Sequence, residues 1–235
     1  MTHGIRWVSL SIAMLGAMPA IAQHEIRADP KVEARDVALE AAVKALAAGN
    51  KGEALSRLDP LLEEYATTYA SEKRQIYCAM NGQETLLYMT IASQQKPPRD
   101  AVAVESGWCT ALWAKGYILS DQGNVDAAIP FLERAIAMAP QHAHFLSELG
   151  YAHLMRKDWP KMLETYQQAA SGAEFAANRE EELARAWRGM GYALSELGRW
   201  DEAEDMYRKC LKLDPKDAKA KSELQWIAEQ RAKKH

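Results

Sequence analysis

Residues 111–140 read ALWAKGYILSDQGNVDAAIPFLERAIAMAP, and the same phrase returns twice further along the chain. Residues 144–170 read HFLSELGYAHLMRKDWPKMLETYQQAA, and residues 185–215 read RAWRGMGYALSELGRWDEAEDMYRKCLKLDP. Superimposed, the three copies align Gly116, Gly150 and Gly191, spaced by 34 and then 41 residues. The longer second interval implies a seven-residue insertion within Ser171–Arg179. Each copy has an apolar helical stretch, a short break and a second apolar helical stretch. The breaks contain Gly123-Asn124, Asp158 and Gly198, residues that end one helix or cap the next. A glycine inside a helix costs about 1 kcal/mol against alanine. Its recurrence at one register position therefore predicts that two backbones approach closely there.

The repeated residues resemble the tetratricopeptide repeat, whose pattern is W-x2-L-G-x2-Y, then A-x3-F, then P on a 34-residue period. The first copy supplies Leu112, Gly116, Leu119, Ala128, Leu132 and Pro140, and the third supplies Trp187, Gly191, Leu194, Ala203, Tyr207 and Pro215. The second supplies Leu146, Gly150, His153, Met162 and Tyr166, with Glu174 where the pattern has proline. Ala135, Ala169 and Cys210 fill one further small-residue position. The resemblance implies an all-α fold, an α-solenoid of stacked antiparallel helix pairs, with repeats at 109–142, 143–183 and 184–215. One hairpin cannot bury its apolar stripe alone, so such units stack and need a polar end. Residues 216–235 supply it as a capping helix and tail, with Leu224 and Ile227 on one face and Trp226 beside them. Pro130 lies within a second helix, where a bend is expected.

Upstream, residues 35–108 read as a helical N-terminal extension. Helices are expected over Asp36–Ala48, Glu53–Tyr69 and Glu72–Ser93, the last ended by Pro97-Pro98. The phrase GNKGEALSRLDPLL (49–62) resembles the turn and second helix of a degenerate repeat. AVAVE (101–105) reads as a strand or a buried linker. Residues 23–34 read as a flexible linker. Residues 1–22 read as a signal peptide: Arg6 is followed by an uncharged apolar run, Pro19 and the small-x-small site Ala20-Ile21-Ala22. The alternative is an anchoring helix, although 17 uncharged residues interrupted by Pro19 sit at the short limit for a span. Cleavage predicts a periplasmic or secreted protein of bacterial type.

The formal charge of −3 becomes about −4 without Arg6 and lacks the clustered basic footprint of a nucleic-acid binder. No catalytic or nucleotide-binding fingerprint appears, and His142, His144 and His153 do not have metal-ligand spacing. No metal or cofactor is expected. Cys78 and Cys109 are the candidate disulfide, with two buried free thiols as the alternative, and Cys210 reads as a buried core thiol.

In the tetratricopeptide family the first helix of each repeat lines the concave surface that meets ligand. That carry-over makes Trp113, Tyr117, Ser147, Tyr151, Arg185, Arg188 and Tyr192 the candidate ligand-binding set: a tyrosine ladder with two arginines at one end, suited to a carboxylate. The alternative is that some of these rings pack between repeats. The Asn-and-Lys clamp of chaperone-binding family members is not matched, since tyrosine stands in place of its asparagine. The expected function is a non-catalytic scaffold or assembly module binding a protein or peptide in the cell envelope. The alternatives are an enzyme or accessory subunit with a site near residues 72–108, and a homo-oligomerising structural part.

Overall fold

The computed structural model describes residues 30–233. The segment assigned to export, residues 1–22, lies outside the described residues, as do residues 23–29 of the expected linker. The elements are α1 (Pro30–Ala47), α2 (Lys51–Thr68), β1 (Gln75–Cys78), α3 (Gly82–Gln94), β2 (Ala101–Val104), α4 (Gly107–Asp121), α5 (Val125–Met138), α6 (Ala143–Met155), α7 (Trp159–Gly172), α8 (Arg179–Glu196), α9 (Trp200–Leu213) and α10 (Ala218–Ala232). The described fold is an all-helical solenoid with one small two-stranded insertion.

Three hairpins, α4/α5, α6/α7 and α8/α9, are the three sequence copies, and each packs on the next. Their turns share one geometry. Gly123 and Gly198 take left-handed backbone (φ 81° and 73°), and Lys157 takes it in the middle copy (φ 56°). The repeated glycines do what their register predicted. A Cβ on Gly116 would meet Leu132 at 2.7 Å, on Gly150 it would meet the Tyr166 ring at 2.7 Å, and on Gly191 the Tyr207 ring at 2.7 Å. Each first helix thus presses its bare backbone against the large buried residue of its own second helix. The longer second interval is accommodated by a 3₁₀ turn at Ala173–Phe175 and by an early start to α8.

The α1/α2 hairpin has the same construction. Gly49 is left-handed (φ 80°), and Ala54, Leu58 and Leu61 are buried in the register of Ala128, Leu132 and Ala135. Ala42 stands where Gly116 stands in the next hairpin, and α2 packs on α4. The degenerate repeat is therefore a complete hairpin. Its first helix starts earlier than the expected Asp36: Pro30 occupies the first helical position, where its fixed φ suits the helix and its missing N–H costs nothing, and Glu33 follows in the first turn.

The expected helix over Glu72–Ser93 is corrected. Residues 75–78 form β1, paired in parallel with β2 from Gln75↔Ala101 to Cys78↔Val104, and α3 is the crossover between them. Tyr77 and Cys78 are buried, which a strand achieves by pairing and a helix in that register does not. Asn81 then starts α3, accepting the Glu84 N–H at 2.9 Å, while the Glu84 carboxylate accepts the Met80 N–H at 2.8 Å. AVAVE resolves to a strand.

At the other end α10 packs on α9 and α8, burying Ala220 and Ile227 and turning Trp226 outward. No helix among the described residues is long and apolar enough to cross a membrane.

Candidate functional site: the concave groove

The first helices α4, α6 and α8, together with α10, face one groove of about 660 Å³. Because the repeats stack in register, equivalent side chains form rows across it. Tyr117, Tyr151 and Tyr192 all line it, with Ser147, Arg185 and Arg188, as the aligned sequence predicted. Tyr151 keeps 42% of its surface exposed at the centre of the row. Tyr192 is held edge-on by Trp159, with ring centroids 6.1 Å apart.

Trp113 departs from the expectation. It lies in a neighbouring recess with Thr110, His144 and Phe145, stacked on Phe145 (5.9 Å, 18°) and edge-on to His144 (5.2 Å). The indole fills the gap between α4 and α6, which is the packing alternative. At the equivalent position Ser147 is small enough to sit buried on the groove floor.

The arginines line the groove but are already engaged. Arg188 Nη1 donates to Asp217 Oδ2 at 2.7 Å, and Asp217 also caps α10 by accepting the Ala220 N–H at 3.0 Å. Arg185 Nη2 donates to Glu181 Oε1 at 3.1 Å, and its Nε lies 3.3 Å from Glu182 Oε2. Glu182 is buried, which alone would raise its pKa, but His144, Arg185 and Asn178 hold it below the usual carboxylate range. The carboxylate preference read from two free arginines therefore loses its basis.

The structure adds residues the sequence reading missed: Ser120, Asp121, Glu148, Lys219, Ser222 and Glu223. A signal for the last three was present. Continuing the register from Pro140 to Pro215 places Lys219 at the His144 position, Ser222 at Ser147, Glu223 at Glu148 and Trp226 at Tyr151. Hence α10 keeps the register of a first helix, and Gln225 stands at the glycine position, where among the described residues no second helix follows to press on it. The hydroxyls of Ser120 and Ser147 are buried on the groove floor without a hydrogen-bond partner. Burial raises the Glu148 pKa against the opposing charges of His144 and Arg185, and burial with Glu196 nearby raises that of Glu223.

Cys78 and Cys109 are brought together, the Cys109 N–H donating to Cys78 Sγ at 3.3 Å, but both are free thiols in this structure, as is Cys210. Burial and the adjacent Cys78 push the Cys109 thiol up, the opposite of what a nucleophile needs.

Residues 110–142 and 141–216 match family models of the tetratricopeptide repeat. The hairpins α4/α5, α6/α7 and α8/α9 thus match the tetratricopeptide repeat. The chain is 28% identical over 111 residues to Protein bimA of Emericella nidulans, a match covering 47% of this chain and 12% of that protein. The chain therefore spans about an eighth of the length of that curated relative. MamA 41-end from Desulfovibrio magneticus RS-1 has the same fold, with 16% identity over 84% of this chain and 85% of that one and a TM-score of 0.57. The first TPR of Spaghetti (RPAP3) bound to the HSP90 peptide SRMEEVD is 24% identical, covering 55% of this chain and 97% of that one, with a TM-score of 0.49.

Proposed function

We propose that this protein is a non-catalytic scaffold that holds a segment of a partner protein in its concave tetratricopeptide groove, and that it does so in the cell envelope after export. The observation carrying the binding reading is the row Tyr117–Tyr151–Tyr192 along the groove, with Tyr151 left 42% exposed. A rigid aromatic ring kept in solvent inside a concavity offers large contact area at low entropic cost. The non-catalytic reading rests on Cys78 within the 72–108 region and Cys109 beside it, both fully buried, the Cys109 thiol pushed up by burial. The export reading rests on Arg6, the apolar run behind it and Ala20-Ile21-Ala22.

Affinity capture from an envelope extract, with mass spectrometry of the recovered proteins, tests the binding reading when wild type and Tyr151→Ala are compared at equal circular dichroism. A partner anchored on Tyr151 loses about 2 kcal/mol of affinity or more, roughly 30-fold. A partner recovered equally by both proteins places the contact elsewhere. Intact mass of the envelope protein tests export, with Gln23 expected as the first residue.

A further inference from the structure

The groove holds as many acidic as basic side chains, but they are unequally paired. Six charged side chains line it: Asp121, Glu148, Arg185, Arg188, Lys219 and Glu223. Three are neutralised within the protein. Asp121 is paired with Lys51, Arg185 with Glu181 and Glu182, and Arg188 with Asp217. Of the remainder, Glu148 has only His144 Nε2 at 3.7 Å. Among the described residues Glu223 has no ion pair within 4.0 Å, although Lys219 is one turn away on the same helix, and Glu196 stands nearby with the same sign. The groove therefore carries more uncompensated carboxylate than cation.

Those carboxylates are also aligned. Glu148 on α6, Gly189 on α8 and Glu223 on α10 occupy one register position in successive repeats. The middle one has no side chain. Gly189 is bare against Tyr166, where its own Cβ would fall 2.4 Å from the ring. The row is thus acid, aromatic ring, acid: Tyr166 fills the place that a side chain at 189 would take and lines the groove together with Tyr192. Next to Glu148, the Ser147 hydroxyl is 98% buried, lines the groove and has no partner of its own. Desolvated carboxylates beside aromatic rings are the surroundings that attract an ammonium or guanidinium group.

We propose that the groove selects a basic segment, one whose lysine or arginine side chains meet Glu148 and Glu223 as its backbone crosses the Tyr166 ring beside Gly189. This rests on the groove reading above and reverses the ligand charge that the arginines suggest when taken alone. Binding of a cation offsets the desolvation that burial imposes on both carboxylates.

The test uses two fluorescein-labelled pools of short synthetic peptides with the same neutral, tyrosine-containing flanks. One pool fixes two lysines, the other two glutamates at the same places. Fluorescence anisotropy with the full chain is expected to show the lysine pool binding at least about tenfold more tightly, with affinity falling as salt rises. Glu148→Gln with Glu223→Gln, checked for unchanged circular dichroism, is expected to close that gap. Equal binding of both pools, weakened by Tyr151→Ala, overturns the basic-segment proposal and leaves the groove intact. Tighter binding of the glutamate pool also overturns it. Binding of neither pool overturns the proposal together with the groove reading.

Discussion

Gly189→Ala should destabilise the protein, against the helix propensity of the two residues. The substitution places a Cβ 2.4 Å from Tyr166 Cε2 and 2.5 Å from Cδ2 and Cζ. Carbon atoms in contact sit about 3.5–4.0 Å apart, so the ring must retreat by roughly 1 Å. The same ring also lies against Gly150, whose own Cβ position is 2.7 Å from it, so a retreat toward α6 is blocked. Overpacking of this kind costs about 1–3 kcal/mol. The helix-propensity gain of alanine over glycine returns about 1 kcal/mol. The balance is a net loss of up to about 2 kcal/mol. Urea unfolding followed by circular dichroism measures it, with Gly52→Ala as the control. Gly52 lies in α2 with nothing within 4 Å of its Cβ position, so alanine there should stabilise by up to about 1 kcal/mol. A double-mutant cycle with Tyr166→Leu should show a favourable coupling of about 0.5–3 kcal/mol at Gly189 and none at Gly52. The reasoning is refuted if Gly189→Ala and Gly52→Ala shift the midpoint in the same direction.

Asp217→Ala should loosen α10 by about 1 kcal/mol through loss of the cap, while Asp217→Asn, which keeps an acceptor for the Ala220 N–H, should cost less; hydrogen exchange over Ala218–Ala232 reads both. Burial alone would raise Asp217, but the Ala220 N–H and Arg188 hold it below its ordinary 3.8, so its contribution is present at neutral pH and lost as pH falls through that lowered value. Glu148 and Glu223 have the opposite sign. A carboxyl raised in the folded state binds its proton more tightly there than in the unfolded chain, so stability should fall as pH rises from the ordinary 4.5, and Glu148→Gln should flatten that fall in a pH series of unfolding curves. Cys78, Cys109 and Cys210 are buried, so Ellman's reagent should find no reactive thiol in the native protein and three after unfolding without reductant.

Most of the solenoid was legible because its determinants are local and repeated. A glycine opposite a large residue, a left-handed turn residue and a second-helix stripe (Ala128, Met162, Ala203; Leu132, Tyr166, Tyr207; Ala135, Ala169, Cys210) recur at fixed offsets, so three copies correct one another's irregularities. The same offsets would have found α10 as a half-repeat and α1/α2 as a full one. The insertion was illegible for the complementary reason. Gln75–Cys78 has four residues, and what makes it a strand is Ala101–Val104, beyond an intervening helix. The arginines failed similarly. Arg188 is equivalent to Ser147 in sequence, and nothing local announces that Asp217, 29 residues on, will bond it.

The register that makes the repeats stack also determines what the groove can recognise. Tyr166 is the buried aromatic of the second repeat, sandwiched by Gly150 from its own hairpin and Gly189 from the next. It also lines the groove, between the rows that hold Glu148 and Glu223. Were Gly189 any larger residue, it would displace the Tyr166 ring, straining the stack and altering the groove surface between the two acids at once. Stability and recognition are therefore coupled at that position, whereas at Tyr151, exposed and unpacked, they are separable. A binding defect at Gly189 carries information only beside its unfolding curve, and one at Tyr151 can be read directly.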